Sequence, residues 1–207
     1  MRTIVYIDGF NLYYGSLKDT SYRWLNLERL CRLLLPRYDV QHINYFTAKV
    51  SGRPGNVDAP IRQELYLRAL KTLSTVSITL GHFLSHKVQM PLANPSANGP
   101  YFATVIKTEE KGSDVNLATQ LPVDACHDKF DVAIVITNDS DLKEPIRIVS
   151  RQFGKVVGIV NPQPHPSAEL QQHAQFVRPI RKGVLAASQF PPTLTDVRGT
   201  FHKPVKW

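Results

Sequence analysis

The sequence predicts one α/β domain built on a largely parallel sheet with helices over both faces. Two observations carry this expectation. Apolar, β-branched runs alternate with helical stretches from the N-terminus onward. Two of those runs, AIVIT at 133–137 and VVGIV at 156–160, are apolar at almost every position, the mark of strands covered on both sides. A chain of 207 residues that is 43% hydrophobic is long enough to enclose one substantial core.

In chain order, TIVYI at 3–7 is a buried strand stopped by Asp8-Gly9. Leu27 to Leu35 is a helix with Leu27, Leu30, Cys31 and Leu34 on one face, closed by Pro36. Residues 40–50 form a second strand, SGRPGN at 51–56 a loop, and Asp58 with Pro60 opens a helix reaching about Leu73. VSITLGHFL at 76–84 is a third strand. The Pro, Asn and Gly content that follows predicts a hairpin-like insertion with arms at 86–92 and 101–107. Ser113 is the expected N-cap of a helix through about His127, which Pro122 must bend or shorten. Next come the strand at 131–137, a helix from about Asp141 to Phe153 stopped by Gly154, the strand at 155–160, a short helix at 167–176 and a final extended piece, VRPI. The domain is expected to span 1–182. From Gly183 the periodicity fails, and 183–207 reads as a basic, extended tail: residues 178–207 hold six Lys and Arg against the single acid Asp196.

The formal charge of +8 favours a polyanionic partner, nucleic acid above all. No apolar run is long enough to span a membrane and no signal peptide opens the chain, so the expected setting is cytoplasmic. Cys31 and Cys126 have no CxxC spacing and read as reduced core residues. A homo-oligomer is left open. Cofactor and triad chemistries lack their signatures, since no GxGxxG, GxxxxGK[ST], GxSxG or HExxH occurs. NDSDLKE is not an EF-hand loop, because Lys143 and Glu144 stand where further oxygen ligands or glycine belong.

What needs explaining is a set of carboxylates at strand-to-helix junctions. Asp8 ends the first strand, Asp114 follows the turn EEKGS, and Asp139 and Asp141 follow AIVIT. In a parallel sheet Asp8 and Asp139 lie at carboxyl ends, and Asp114 opens a helix whose positive end can face the same crevice. Singly, each is a good turn or cap residue. Together they repel one another unless a cation neutralises them, and all-oxygen donors suit Mg²⁺ or Mn²⁺. Such a centre suits phosphodiester hydrolysis, with Lys and Arg holding the polyanion around it. Asn11, three residues after Asp8, can orient a carboxylate or a water. Lys111, three before Asp114, is placed to reach a phosphate oxygen. Glu110 reads as a solvated loop acid.

The segments VYIDGFNLYYG, EEKGSDVNLATQL, FDVAIVITNDSDL and KVVGIVNP, in this order and spacing, resemble the NYN domain, a branch of the PIN-like nucleases. The resemblance covers residues 1 to about 180 and implies a PIN-like three-layer α/β/α sandwich acting as a metal-dependent ribonuclease on RNA. It implies Asp8, Asp114 and Asp139 as catalytic metal-binding acids, Asp141 as a further metal ligand, Asn11 as the amide of the first motif, and Asn138 toward the substrate, beside Lys111, which its position alone assigns there. Pro122, inside a family helix, and Gln175, where an acid is common, depart from the pattern without touching the acidic motifs. An RNA-binding or protein-interaction module without turnover is the alternative. A small-molecule enzyme, phosphohydrolase or aromatic hydroxylase, is a weaker one, since the DxDx[TV] loop of the former is absent.

Overall fold

A computed structural model describes residues 1–52, 55–96 and 99–207. The expected loop at 51–56 and the turn of the insertion fall partly on residues 53, 54, 97 and 98, outside the described residues. The elements are β1 (Arg2–Asp8), α1 (Gly9–Leu12), a π-helical turn (Tyr13–Leu17), α2 (Leu27–Leu34), β2 (Asp39–Ala48), α3 (Ala59–Leu70), β3 (Val76–Pro91), β4 (Phe102–Lys111) and α4 (Ser113–Cys126). They continue with β5 (Val132–Ile136), a 3₁₀ turn (Ser140–Leu142), α5 (Lys143–Arg151), β6 (Val156–Asn161), α6 (Ala168–Gln171), β7 (Phe176–Pro179), α7 (Lys182–Ala187), β8 (Thr193–Asp196) and β9 (Gly199–His202).

Among the described residues, seven strands form one sheet in the order β4-β3-β2-β1-β5-β6-β7, parallel except where β3 meets β4. The period-2 rule explains why the middle of β1 and all of β5 are apolar. Val5, Ile7, Val132, Ile134 and Ile136 enter one core with α2, α3 and α7, while Ile4, Tyr6, Ala133 and Val135 enter the other with α4, α5 and α6. The result is the expected three-layer α/β/α sandwich with the ends of β1 and β5 adjacent, Ile7 paired with Ile136. Asp8 and the residues after β5 therefore emerge side by side.

Four sequence expectations are corrected. The third strand and the first arm of the insertion are one 16-residue strand. Up to Gly81 it pairs parallel with β2, and from His82 onward antiparallel with β4, so the insertion is a continuation of the central sheet. The α4 helix runs through Pro122 to Cys126, and its N-cap is Gly112, not Ser113. Gly112 has φ +97°, a left-handed conformation costly for other residues, and the reversal lets Glu110 Oε1 accept the Ser113 N–H at 3.0 Å. Cys126 is exposed rather than part of the core, although both cysteines are free.

The fourth correction concerns residues 183–207, which are folded. Leu185, Phe190 and Phe201 are buried in the core of α2 and α3, with the Phe190 ring 5.7 Å from that of Trp24. Arg68 of α3 donates two side-chain hydrogen bonds to Asp196, at 2.6 and 2.8 Å. The Trp24 indole N–H donates to the Pro191 carbonyl at 2.9 Å. The basic residues of this segment thus lie on a packed layer, because its scattered aromatics find partners more than a hundred residues away.

Candidate metal centre

The centre grows from the way β1 ends. Asp8 is the last residue of β1 and the N-cap of α1: its Oδ1 accepts the Asn11 backbone N–H at 2.9 Å. The helix starts this abruptly because residue 9 is glycine; a Cβ there would stand 2.7 Å from the Phe46 carbonyl oxygen and 2.8 Å from the Tyr45 ring. The other carboxylate oxygen, Oδ2, accepts from Thr137 Oγ1 at 3.1 Å.

Thr137 is wholly buried and joins two of the acids. Besides donating to Asp8, its hydroxyl oxygen accepts the Asp139 N–H at 3.1 Å. Asp139 caps the 3₁₀ turn, its Oδ1 accepting the Asp141 N–H at 3.0 Å. The sequence points to Asp141 as the alternative cap; the structure gives that role to Asp139. The Asp114 carboxylate comes from the first turn of α4, on the opposite layer from α1.

One carboxylate oxygen each from Asp8, Asp114 and Asp139 lie within 4.8 Å of one another. Asp8 is 3% exposed. Burial, reinforced by the charges of Asp114 and Asp139, pushes its carboxyl up to about 6, against the opposing help of the Asn11 N–H and the Thr137 hydroxyl. Asp114 is also raised, first by burial and then by the charges of Asp139, Glu110 and Asp141. Three clustered carboxylate oxygens, with the proton affinity of Asp8 and Asp114 raised by burial and by neighbouring charge, fit a hard divalent cation such as Mg²⁺ or Mn²⁺.

The remaining expected site residues divide. Asp141 is exposed and outside the three-acid group, though close enough for its charge to be felt at Asp114. Asn11 acts by position: its N–H holds Asp8, and its Oδ1 accepts from the Asn138 N–H at 3.0 Å and Gln163 Nε2 at 3.2 Å. Asn138, expected toward the substrate, is engaged within the chain at both ends of its side chain. Its Oδ1 accepts the Ser167 N–H at 2.7 Å and its Nδ2 donates to the His165 carbonyl at 2.9 Å, so both ends fasten the segment after β6. Lys111 is half-exposed with its Nζ 3.7 Å from Glu109 Oε2, and is not among the residues lining the cleft. Glu110, by contrast, is half-buried on the cleft wall, correcting its reading as a loop acid.

Sequence reasoning missed Thr137 and Gln163. The signal for Thr137 was present, a lone hydroxyl closing an otherwise apolar strand. Gln163 had none, since its role depends on β6 lying beside β5. The centre opens into a cleft of about 750 Å³ that is aromatic along much of its length.

The family model described as NYN domain matches residues 2–180. A curated relative from Pseudomonas putida, 6-hydroxy-3-succinoylpyridine 3-monooxygenase HspA, is 32% identical in an alignment of 238 residues that covers all of this chain and 75% of that protein. A crystal structure of a Vibrio parahaemolyticus protein of unknown function superimposes with a TM-score of 0.55 at 17% identity, covering 87% of this chain and 93% of the other. At that identity the likeness is one of fold.

Proposed function

This chain belongs to the NYN domain family, a nuclease-like superfamily, and from that premise we propose that it is a Mg²⁺- or Mn²⁺-dependent endoribonuclease hydrolysing RNA phosphodiesters. The observation that carries the reading is the convergence of Asp8, Asp114 and Asp139 from two strand ends and a helix start onto one point of a cleft. A divalent cation held by these acids supplies charge neutralisation and Lewis acidity for in-line displacement at a phosphodiester. The chain's own contribution is to hold the donors still: Asp8 by the Asn11 N–H and the Thr137 hydroxyl, Asp139 by the same threonine and by its cap. Glu110 fixes the first turn of α4, and with it Asp114. Net charge of +8 draws a polyanion toward a centre that would otherwise repel it. No helix among the described residues is long and apolar enough to cross a membrane.

The deciding experiment is incubation of end-labelled RNA with the wild type and Asp139→Asn, in Mn²⁺ and in chelator. Defined fragments from the wild type in Mn²⁺ alone support the reading. Salt-sensitive binding of RNA that stays intact supports the alternative, a binding module without turnover. The Pseudomonas relative favours one further reading, oxidation of a small aromatic, because its similarity runs the whole length of this chain. Uptake of dioxygen on adding 6-hydroxy-3-succinoylpyridine and a reductant would establish it.

A further inference from the structure

The cleft is polarised. Most of its carboxylates come from the ends of β1 and β5, from β4 and from α4, whereas Lys18 and Arg23, from the loop after the π-helical turn, and Arg62, from α3, line the side built by the other helical layer. Lys18 touches the Tyr14 ring, 5.4 Å from its centroid, and has no ion pair among the described residues. Arg23 donates only to main-chain carbonyls, those of Thr20 at 3.0 Å and Lys206 at 2.8 Å, so its charge is not cancelled by a carboxylate. Arg62 is 15% exposed and stands 3.9 Å from Asp58. One more acid, Asp19, shares this wall without forming an ion pair, so the formal balance stays positive. The same cleft is lined by Tyr45, Tyr66 and Trp207, with the Tyr66 and Trp207 rings 5.6 Å apart.

Two cations without carboxylate partners, Lys18 and Arg23, and a third beside Asp58, next to a wall of aromatic rings, are the complement of one kind of ligand. We propose that this half of the cleft is a subsite for an aromatic ring carrying an anionic group, the ring against Tyr45, Tyr66 and Trp207 and the anion between Lys18, Arg23 and Arg62. The inference rests on the reading of the neighbouring carboxylates as the reaction centre, since it makes the subsite the place where a substrate is gripped. Two sources share this chemistry: a nucleotide of a nucleic acid, and a free aromatic carboxylate.

The test is binding without turnover, so that it stands apart from cleavage. Microcalorimetric titrations in chelator compare uridine 5′-monophosphate with uridine, and nicotinate with nicotinamide. Binding of the monophosphate with uridine at least tenfold weaker assigns the subsite to a nucleotide. The same contrast between nicotinate and nicotinamide assigns it to a free aromatic acid. In either case Arg23→Gln and Lys18→Ala should each weaken the charged ligand, and Lys18 guards against misfolding because its exposed side chain makes no hydrogen bond among the described residues. Equal binding of charged and uncharged partners, equal binding by both variants, or no binding of either anion at millimolar concentration overturns the proposal. Cleavage of RNA with none of these ligands bound would sink the subsite and spare the nuclease reading; binding without cleavage would do the reverse.

Discussion

Asp8 Oδ1 accepts the backbone N–H of Asn11 at 2.9 Å, so the carboxylate that ends β1 is also the cap that starts α1. An asparagine at position 8 can make the same cap with its amide oxygen. Asp8→Asn should therefore leave the fold intact while abolishing Mn²⁺-stimulated cleavage, checked by circular dichroism beside fragment analysis. A variant cutting as fast as the wild type would mean that the activity belongs to a contaminant.

The raised Asp8 carboxyl has a consequence for stability. Its folded value, about 6, lies above the ordinary 3.8, so the folded chain holds a proton that the unfolded chain has released between those pH values. The favourable contribution is complete below pH 3.8 and is lost as pH rises through about 6. In chelator, Asp8→Asn should raise stability at pH 7.5 by up to roughly 3 kcal/mol, at about 1.4 kcal/mol per pKa unit, and the gain should vanish near pH 4. Urea titrations of the two proteins at both pH values measure it.

Mn²⁺ should stabilise the wild type for the same reason. The rise in melting temperature should be clear at pH 7.5, shrink as pH falls below about 6 and protons compete for Asp8, and be absent in Asp8→Asn. A rise of equal size in the variant would place the ion elsewhere.

Asn138 fastens the segment after β6 through its side chain. Asn138→Ala strands the partly buried Ser167 N–H and should cost about 1–3 kcal/mol. Hydrogen exchange should quicken at 163–167 before other regions. A loss of RNA affinity without any loss of stability would support the substrate-facing role that the family resemblance implies.

Phe190 is 5% exposed and packs on Trp24, so Phe190→Ala should lower stability by about 3–5 kcal/mol. Denaturation in urea gives the value. A change near zero would mean that 183–207 is the extended tail its composition suggests.

These cases mark what the sequence discloses. The parallel core was legible because TIVYI and AIVIT are apolar on both faces, and the three acids because Asp8 and Asp139 stand where apolar runs stop and Asp114 where a polar turn opens a helix. Residues 183–207 were not legible: Phe190 and Phe201 lack any local period, and their burial depends on Trp24 and Arg68, far away in the chain. The unbroken β3 was hidden by the polar run Ser85-His86-Lys87, which reads locally as a break between two extended pieces, whereas β4 supplies its pairing. The separate fates of Asp139 and Asp141 turn on one hydrogen bond, from the Asp141 N–H to Asp139 Oδ1, which spacing alone does not assign.

The most direct measurement is the anomalous difference map of a crystal soaked in Mn²⁺. The account predicts one strong peak bounded by the carboxylates of Asp8, Asp114 and Asp139, absent from crystals of Asp8→Asn. Mn²⁺ bound away from these three side chains, or no ion with all three carboxylates ordered, would contradict it.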